Sequence, residues 1–136
     1  MGTKKIVFLY TVILFLVSCA ATVKFPTSSV TPAAEISAKI TQDKNMNYVI
    51  EVSAMYLASA DRLNPPKDNY VVWIVTKKNG TKNIGLLNSE NAKKNYLKTT
   101  TPFSVKEIFI TAEEKGNISY PEGIEISRAI IPNSSK

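Results

Sequence analysis

The sequence predicts an all-β domain, an antiparallel immunoglobulin-like sandwich of two sheets and about seven strands. Three observations predict it. Apolar residues alternate with a period of two over most of the chain from Glu35, these runs are short, and turn-forming residues punctuate them. No apolar pattern of helical period lasts more than two turns beyond the first nineteen residues.

The elements follow in order. Ile36, Ala38 and Ile40 alternate with Ser37, Lys39 and Thr41, and Gln42 to Asn45 turns the chain. Tyr48, Ile50, Val52, Ala54 and Tyr56 form the longest clean alternation. Ala58 to Asp68 is expected as a loop, because Pro65-Pro66 offers no ladder donors. Tyr70 to Val75 is apolar at every position and reads as a central strand, with Trp73 packed between the sheets. Asn79-Gly80 is the strongest hairpin signal, since both residues tolerate the positive φ of a tight two-residue turn, and Asn83 to Asn88 returns the chain. Ser89 to Asn95 fits one helical turn or a loop. Leu97, Thr99 and Thr101 make a strand that Pro102 ends, and Ile108, Ile110 and Ala112 make the next, ending at Glu113-Glu114 in solvent. Pro121-Glu122-Gly123 then turns into Ile124, Ile126 and the Ile130-Ile131 pair.

The first residues carry different information. Lys4-Lys5 precede a twelve-residue apolar run, Ile6 to Val17, which is followed by small Ser18 and then Cys19. As a helix that run spans about 18 Å, against ~30 Å for a bilayer's hydrocarbon core, so it reads as the apolar segment of an export signal. Leu16-Val17-Ser18-Cys19 resembles a lipobox, the processing signal of bacterial lipoproteins. The resemblance implies cleavage between Ser18 and Cys19 and lipidation of the Cys19 thiol. Two or three acyl chains, palmitate among them, give durable anchoring where one gives marginal binding. The expected organisation is a signal peptide at 1–18, a lipidated Cys19 with a flexible tether to 34, a β-sandwich at 35–131 and a polar tail at 132–136. The tether is read from the Thr, Ser and Pro of Ala20 to Ala34. No acidic residue follows Cys19 until Glu35. By resemblance to lipoprotein sorting signals, this implies an outer-membrane anchor facing the periplasm, or the outer leaflet of the cell membrane where only one membrane exists.

Composition narrows the function. The chain of 136 residues carries 17 Lys and Arg against 11 acids, and loss of Lys4 and Lys5 leaves 15 basic residues. The lysines are scattered and lack the Arg-rich stripe of a nucleic-acid binder, so no nucleic-acid partner is expected. With no His and one Cys, neither an intrachain disulfide nor a Cys/His metal centre can form. Asp43, Asp61 and Asp68 sit one per loop, without the alternating acids of a calcium loop. No Ser-x-x-Lys or Gly-x-Ser-x-Gly string nominates a nucleophile, and no phosphate-binding glycine run precedes a helix. The expectation is a non-enzyme without a cofactor.

A family resemblance covers Ile50 to Ile131. Pro65-Pro66, Tyr70 to Val75, Asn79-Gly80 and Gly85-Leu86-Leu87 resemble the extracytoplasmic domain of the anti-sigma-K factor family. Ile108 to Glu113, followed by Gly116, Pro121 and Gly123, is similar to that family's second signature. The resemblance implies a β-sandwich with a sensing or protein-contact role. The family's sigma-binding module and membrane span are replaced here by the lipoprotein signal, so a cytoplasmic sigma factor is not an expected partner. The expected function is binding of an envelope protein or glycan through Arg62 to Asn69 and the Gly116 to Gly123 hairpin. Arg62, Pro65, Pro66 and Tyr120 offer the rigid or aromatic contacts there. The alternative is a structural accessory of an envelope complex, joined by strand addition at a sheet edge.

Overall fold

The computed structural model describes residues 20–132. The expected signal peptide, Ser18, Cys19 and residues 133–136 of the tail lie outside them. Nine strands form two antiparallel sheets. They are β1 (Ala21–Lys24), β2 (Glu35–Gln42), β3 (Tyr48–Met55), β4 (Asn69–Thr76), β5 (Thr81–Leu86), β6 (Asn88–Asn91), β7 (Lys94–Thr101), β8 (Val105–Glu113) and β9 (Ile124–Ile130). The five-stranded sheet runs β1-β2-β3-β7-β6 and the four-stranded sheet β5-β4-β8-β9. A single 3-10 turn, Ala60–Arg62, lies in the connection from β3 to β4.

The core lies between the sheets because alternate residues of facing strands are apolar. Ile36, Ala38 and Ile40 of β2 with Ile50, Val52 and Ala54 of β3 meet Val72 and Ile74 of β4 and Ile108, Ile110 and Ala112 of β8. Ile50, Val52, Val72, Ile74, Ile108 and Ile110 are fully buried, each contributing roughly 1.5–3 kcal/mol by leaving water.

The strand count is nine where about seven were expected, because the short edge strands β1 and β6 lack a clear apolar alternation, and five further expectations are corrected. The segment expected as a tether is part of the fold: β1 pairs with β2, Ala21 opposite Ile40 and Lys24 opposite Ser37. Phe25 is buried in the core, the Ser127 hydroxyl donates to the Pro26 carbonyl, and Ser28 Oγ accepts from the Val30 and Thr31 amides. Val23 and Phe25, two residues apart on one face, outweigh the polar composition around them.

The β4–β5 connection is longer than a two-residue turn. Val75 pairs with Thr81, the Thr76 amide donates to the Gly80 carbonyl, and the Thr76 hydroxyl accepts from the Asn79 amide. Gly80 alone in this turn takes positive φ, +75°, so Asn79 need not. Ser89 to Asn95, left between helix and loop, is strand β6, a tight turn and the start of β7.

Trp73 is fully buried, but on the outer face of the four-stranded sheet, because β4 is covered on both sides. Finally, Glu113 does not end a hairpin in solvent; it is 2% exposed.

Candidate functional site

The outer face of the four-stranded sheet is roofed by the β8–β9 loop, residues 114–123. Val71, Trp73 and Phe109 form a second apolar cluster there, with Val75, Leu86 and Ile118 packed against it. The Trp73 and Phe109 rings stack with centroids 6.1 Å apart and planes 13° apart. The Arg128 guanidinium covers Phe109 at 4.0 Å and bonds Glu125 and Glu107.

The roof is held by polar bonds. Trp73 Nε1 donates to Thr111 Oγ1 at 2.8 Å, the Thr111 hydroxyl donates to Glu113 Oε2 at 2.6 Å, and the Glu122 amide donates to the same oxygen at 3.2 Å. Asn83 Nδ2 donates to the carbonyls of Gly116 and Ile118. A Cβ on Gly123 would lie 1.8 Å from the Ala112 carbonyl oxygen, so only glycine lets the loop return this close to β8.

This roof meets the β3–β4 loop. The Asp68 amide donates to the Glu113 carbonyl, Asn69 Nδ2 donates to the Glu114 carbonyl, and Lys67 Nζ lies 3.6 Å from the Glu114 carboxylate. Both loops expected to form the binding surface are therefore joined at one end of the sandwich. The β3–β4 loop is itself pinned from below: the Tyr70 hydroxyl donates to the Ala58 carbonyl at 2.6 Å. Burial, with Asp61 nearby, pushes the Tyr70 hydroxyl up to about 12.

On that end Arg62, Pro65 and Pro66 are exposed, and Tyr120 is 66% exposed. The Asn64–Pro65 bond is cis. Cys19, the expected lipidation site, lies outside the described residues.

A second polar surface was not anticipated. The outer face of the five-stranded sheet holds a shallow depression lined by Thr22, Ser37, Lys39, Glu51, Lys94 and Tyr96. The Tyr96 hydroxyl donates to Glu51 Oε1 at 2.6 Å, and Lys94 Nζ sits 5.1 Å from the Tyr96 ring centroid. That hydrogen bond, aided by Lys98, Lys39 and Lys94, holds the Glu51 carboxyl below its usual value despite some desolvation. The signal was Ser37 and Lys39 on the outward side of β2 with Glu51 and Ser53 on that of β3, but pairing of β3 with β7 is what brings Tyr96 to Glu51. Among the described residues no three Cys, Asp or Glu side chains gather into a group able to hold a metal. Comparison with protein-family models, curated proteins and solved structures finds no match to this chain.

Proposed function

We propose that the chain is a bacterial envelope lipoprotein, lipidated at Cys19, whose β-sandwich is a non-catalytic module that binds an envelope protein or glycan. The reading includes an immunoglobulin-like arrangement of the sheets and the resemblance to the outer domain of anti-sigma-K factors. It excludes the sigma-binding role, since a chain anchored outside the membrane cannot reach a cytoplasmic factor.

One observation carries the binding surface. The β3–β4 and β8–β9 loops are stapled together through Asp68, Asn69, Lys67 and the Glu113-Glu114 backbone, which holds exposed Arg62, Pro65, Pro66 and Tyr120 on a pre-organised platform. The strand-addition alternative has less support. β1 and β6 are four residues each, β5 and β9 are each interrupted by a register shift, and β5 is bridged by Asn83 to the roof, all devices that blunt sheet edges.

Crosslinking in intact cells tests the reading. A captured protein or glycan should be lost with Arg62→Ala and Tyr120→Ala while the lipidated protein remains folded and membrane-bound. Capture unchanged in both variants defeats the platform, and an unmodified Cys19 thiol by mass spectrometry defeats the anchor.

A further inference from the structure

The strand register sets the two ends of the sandwich apart. Ala21 pairs with Ile40, Gln42 with Tyr48 and Tyr48 with Thr101, so the start of β1, the β2–β3 turn and the end of β7 share one end of their sheet. In the other sheet Thr76 pairs with Val105 and Glu107 with Ile130. The short link from Thr101 to Val105 brings those two ends together, and Lys82 Nζ lies 5.3 Å from the Phe103 ring centroid across them. The loops that carry Arg62 and Tyr120 follow β3 and β8 at the opposite end.

The N-terminal end is basic. Lys44, Lys78 and Lys106 are exposed there, with Lys77 alongside. Its two acids are already engaged: the Asp43 carboxylate accepts the Asn45 and Asn47 amides, and Glu107 pairs with Arg128 at 3.6 Å. Two of the large apolar side chains most exposed to solvent also lie there, Met46 at 68% and Ile130 at 72%. Met46 projects from a turn residue of positive φ, +65°. Lysines around exposed apolar side chains are the composition of a surface that rests on a membrane interface. The opposite end is mixed in charge, exposing Asp61, Asp68, Glu114 and Glu122 beside Arg62, Lys93 and Lys115.

We propose that this lysine end docks flat on an anionic phospholipid bilayer, holding the Arg62–Tyr120 platform away from it. The proposal rests on the reading of Cys19 as the anchor. Two residues from Cys19 to Ala21 span at most ~7 Å, within the roughly 8–10 Å over which charges act at physiological salt. Because β1 takes up the residues expected to form a tether, the domain cannot stand off from the surface, and its basic end is the part that meets the lipid headgroups.

The test uses the lipidated chain in vesicles of phosphatidylcholine alone and of phosphatidylcholine with phosphatidylglycerol. An acylated Cys19 leaves no other thiol, so Met46→Cys and Tyr120→Cys each accept one fluorophore, quenched by brominated lipid. The label at 46 should be quenched in the anionic vesicles and the label at 120 should not. Combined Lys44→Gln, Lys78→Gln and Lys106→Gln should weaken the docked state about fivefold per lysine removed, with the chain still floating on the vesicles and melting as before. Equal quenching at 46 and 120, or quenching at 46 indifferent to the lysines and to salt, overturns the docking. So does equally strong binding of this end to an acidic peptide. If the chain does not float and Cys19 reacts with maleimide, the anchor reading has failed instead. Docking then stands only if the unacylated chain still shows salt-sensitive quenching at 46.

Discussion

The two sheets share one core but have unlike outer faces. Behind the four-stranded sheet lies a dry layer, Trp73 on Phe109 beneath the 114–123 roof. Behind the five-stranded sheet lie Ser37, Lys39, Glu51, Ser53 and Tyr96, open to water. β4 is apolar from Tyr70 to Val75 while β2 and β3 alternate, because a strand covered on both sides has no polar half. The covered face also locates the platform. A loop that roofs an apolar layer is fixed by that layer, so the end bearing Tyr120 inherits rigidity from Trp73.

Trp73→Ala should have the largest effect, all of it on the covered side. It removes the largest fully buried side chain and leaves Phe109 and Ile118 facing a void. A loss of about 4 kcal/mol in urea unfolding, followed by far-ultraviolet circular dichroism, is expected. Ser53→Ala, on the open face, should stay within about 0.5 kcal/mol. Equal costs at the two positions would mean that the roof shields nothing.

Glu113→Ala comes next, at about 2 kcal/mol. The Thr111 hydroxyl and the Glu122 amide both lose their acceptor, and the return of the loop over β8 loosens. Hydrogen exchange should rise at Glu122 and leave the β2 and β3 amides unchanged. Equal acceleration in both sheets would show that the roof does not open separately.

The contrast between the faces was only half legible in the sequence. Period-two alternation located β2, β3 and β8, and an unbroken apolar run located β4, because each buries a continuous set of side chains against the other sheet. Burial of Trp73 was legible too, but not the face it occupies, because an unbroken apolar run carries no phase. Glu113 was misread because an acidic pair at a strand end has the composition of a solvated turn. Its carboxylate accepts from Thr111, which Trp73 holds in turn, and from Glu122; Trp73 and Glu122 are brought in by sheet pairing and loop closure rather than by neighbouring positions. Thr111 two positions before Glu113 was the available clue, since it puts a hydroxyl and a carboxyl on one face. β1 was hidden by Thr, Ser and Pro, although Val23 and Phe25 already had strand spacing.

Beneath the platform, Tyr70→Phe tests how far the β3–β4 loop depends on the core. Losing the bond to the Ala58 carbonyl should cost about 1 kcal/mol. The hydroxyl titrates at about 12 when folded against 10.0 as its ordinary value. Its contribution is therefore complete below pH 10.0 and lost as pH rises through about 12, the unfolded chain releasing its proton first. Thermal melts across that range should fall more steeply for the native chain than for Tyr70→Phe; parallel curves would mean that the hydroxyl is not sequestered.

The open face should give the smallest effect, and an acid-side one. Tyr96 donates to Glu51, and that bond, more than the lysines around it, holds the Glu51 carboxyl below 4.5. A depressed carboxyl stabilises the fold above its unfolded value, and this contribution is lost as pH falls through the lower folded one. Both groups are water-washed, so the change in stability should be slight beside that of Tyr70→Phe. The sharper readout is the titration itself. In Tyr96→Phe the Glu51 carboxyl resonance should titrate closer to 4.5, retaining only the part due to Lys98, Lys39 and Lys94, and added salt should diminish that remainder. An unchanged midpoint would assign the depression to the lysines alone. The outer face of the five-stranded sheet would then be a diffuse field of charge with no fixed hydrogen bond at its centre.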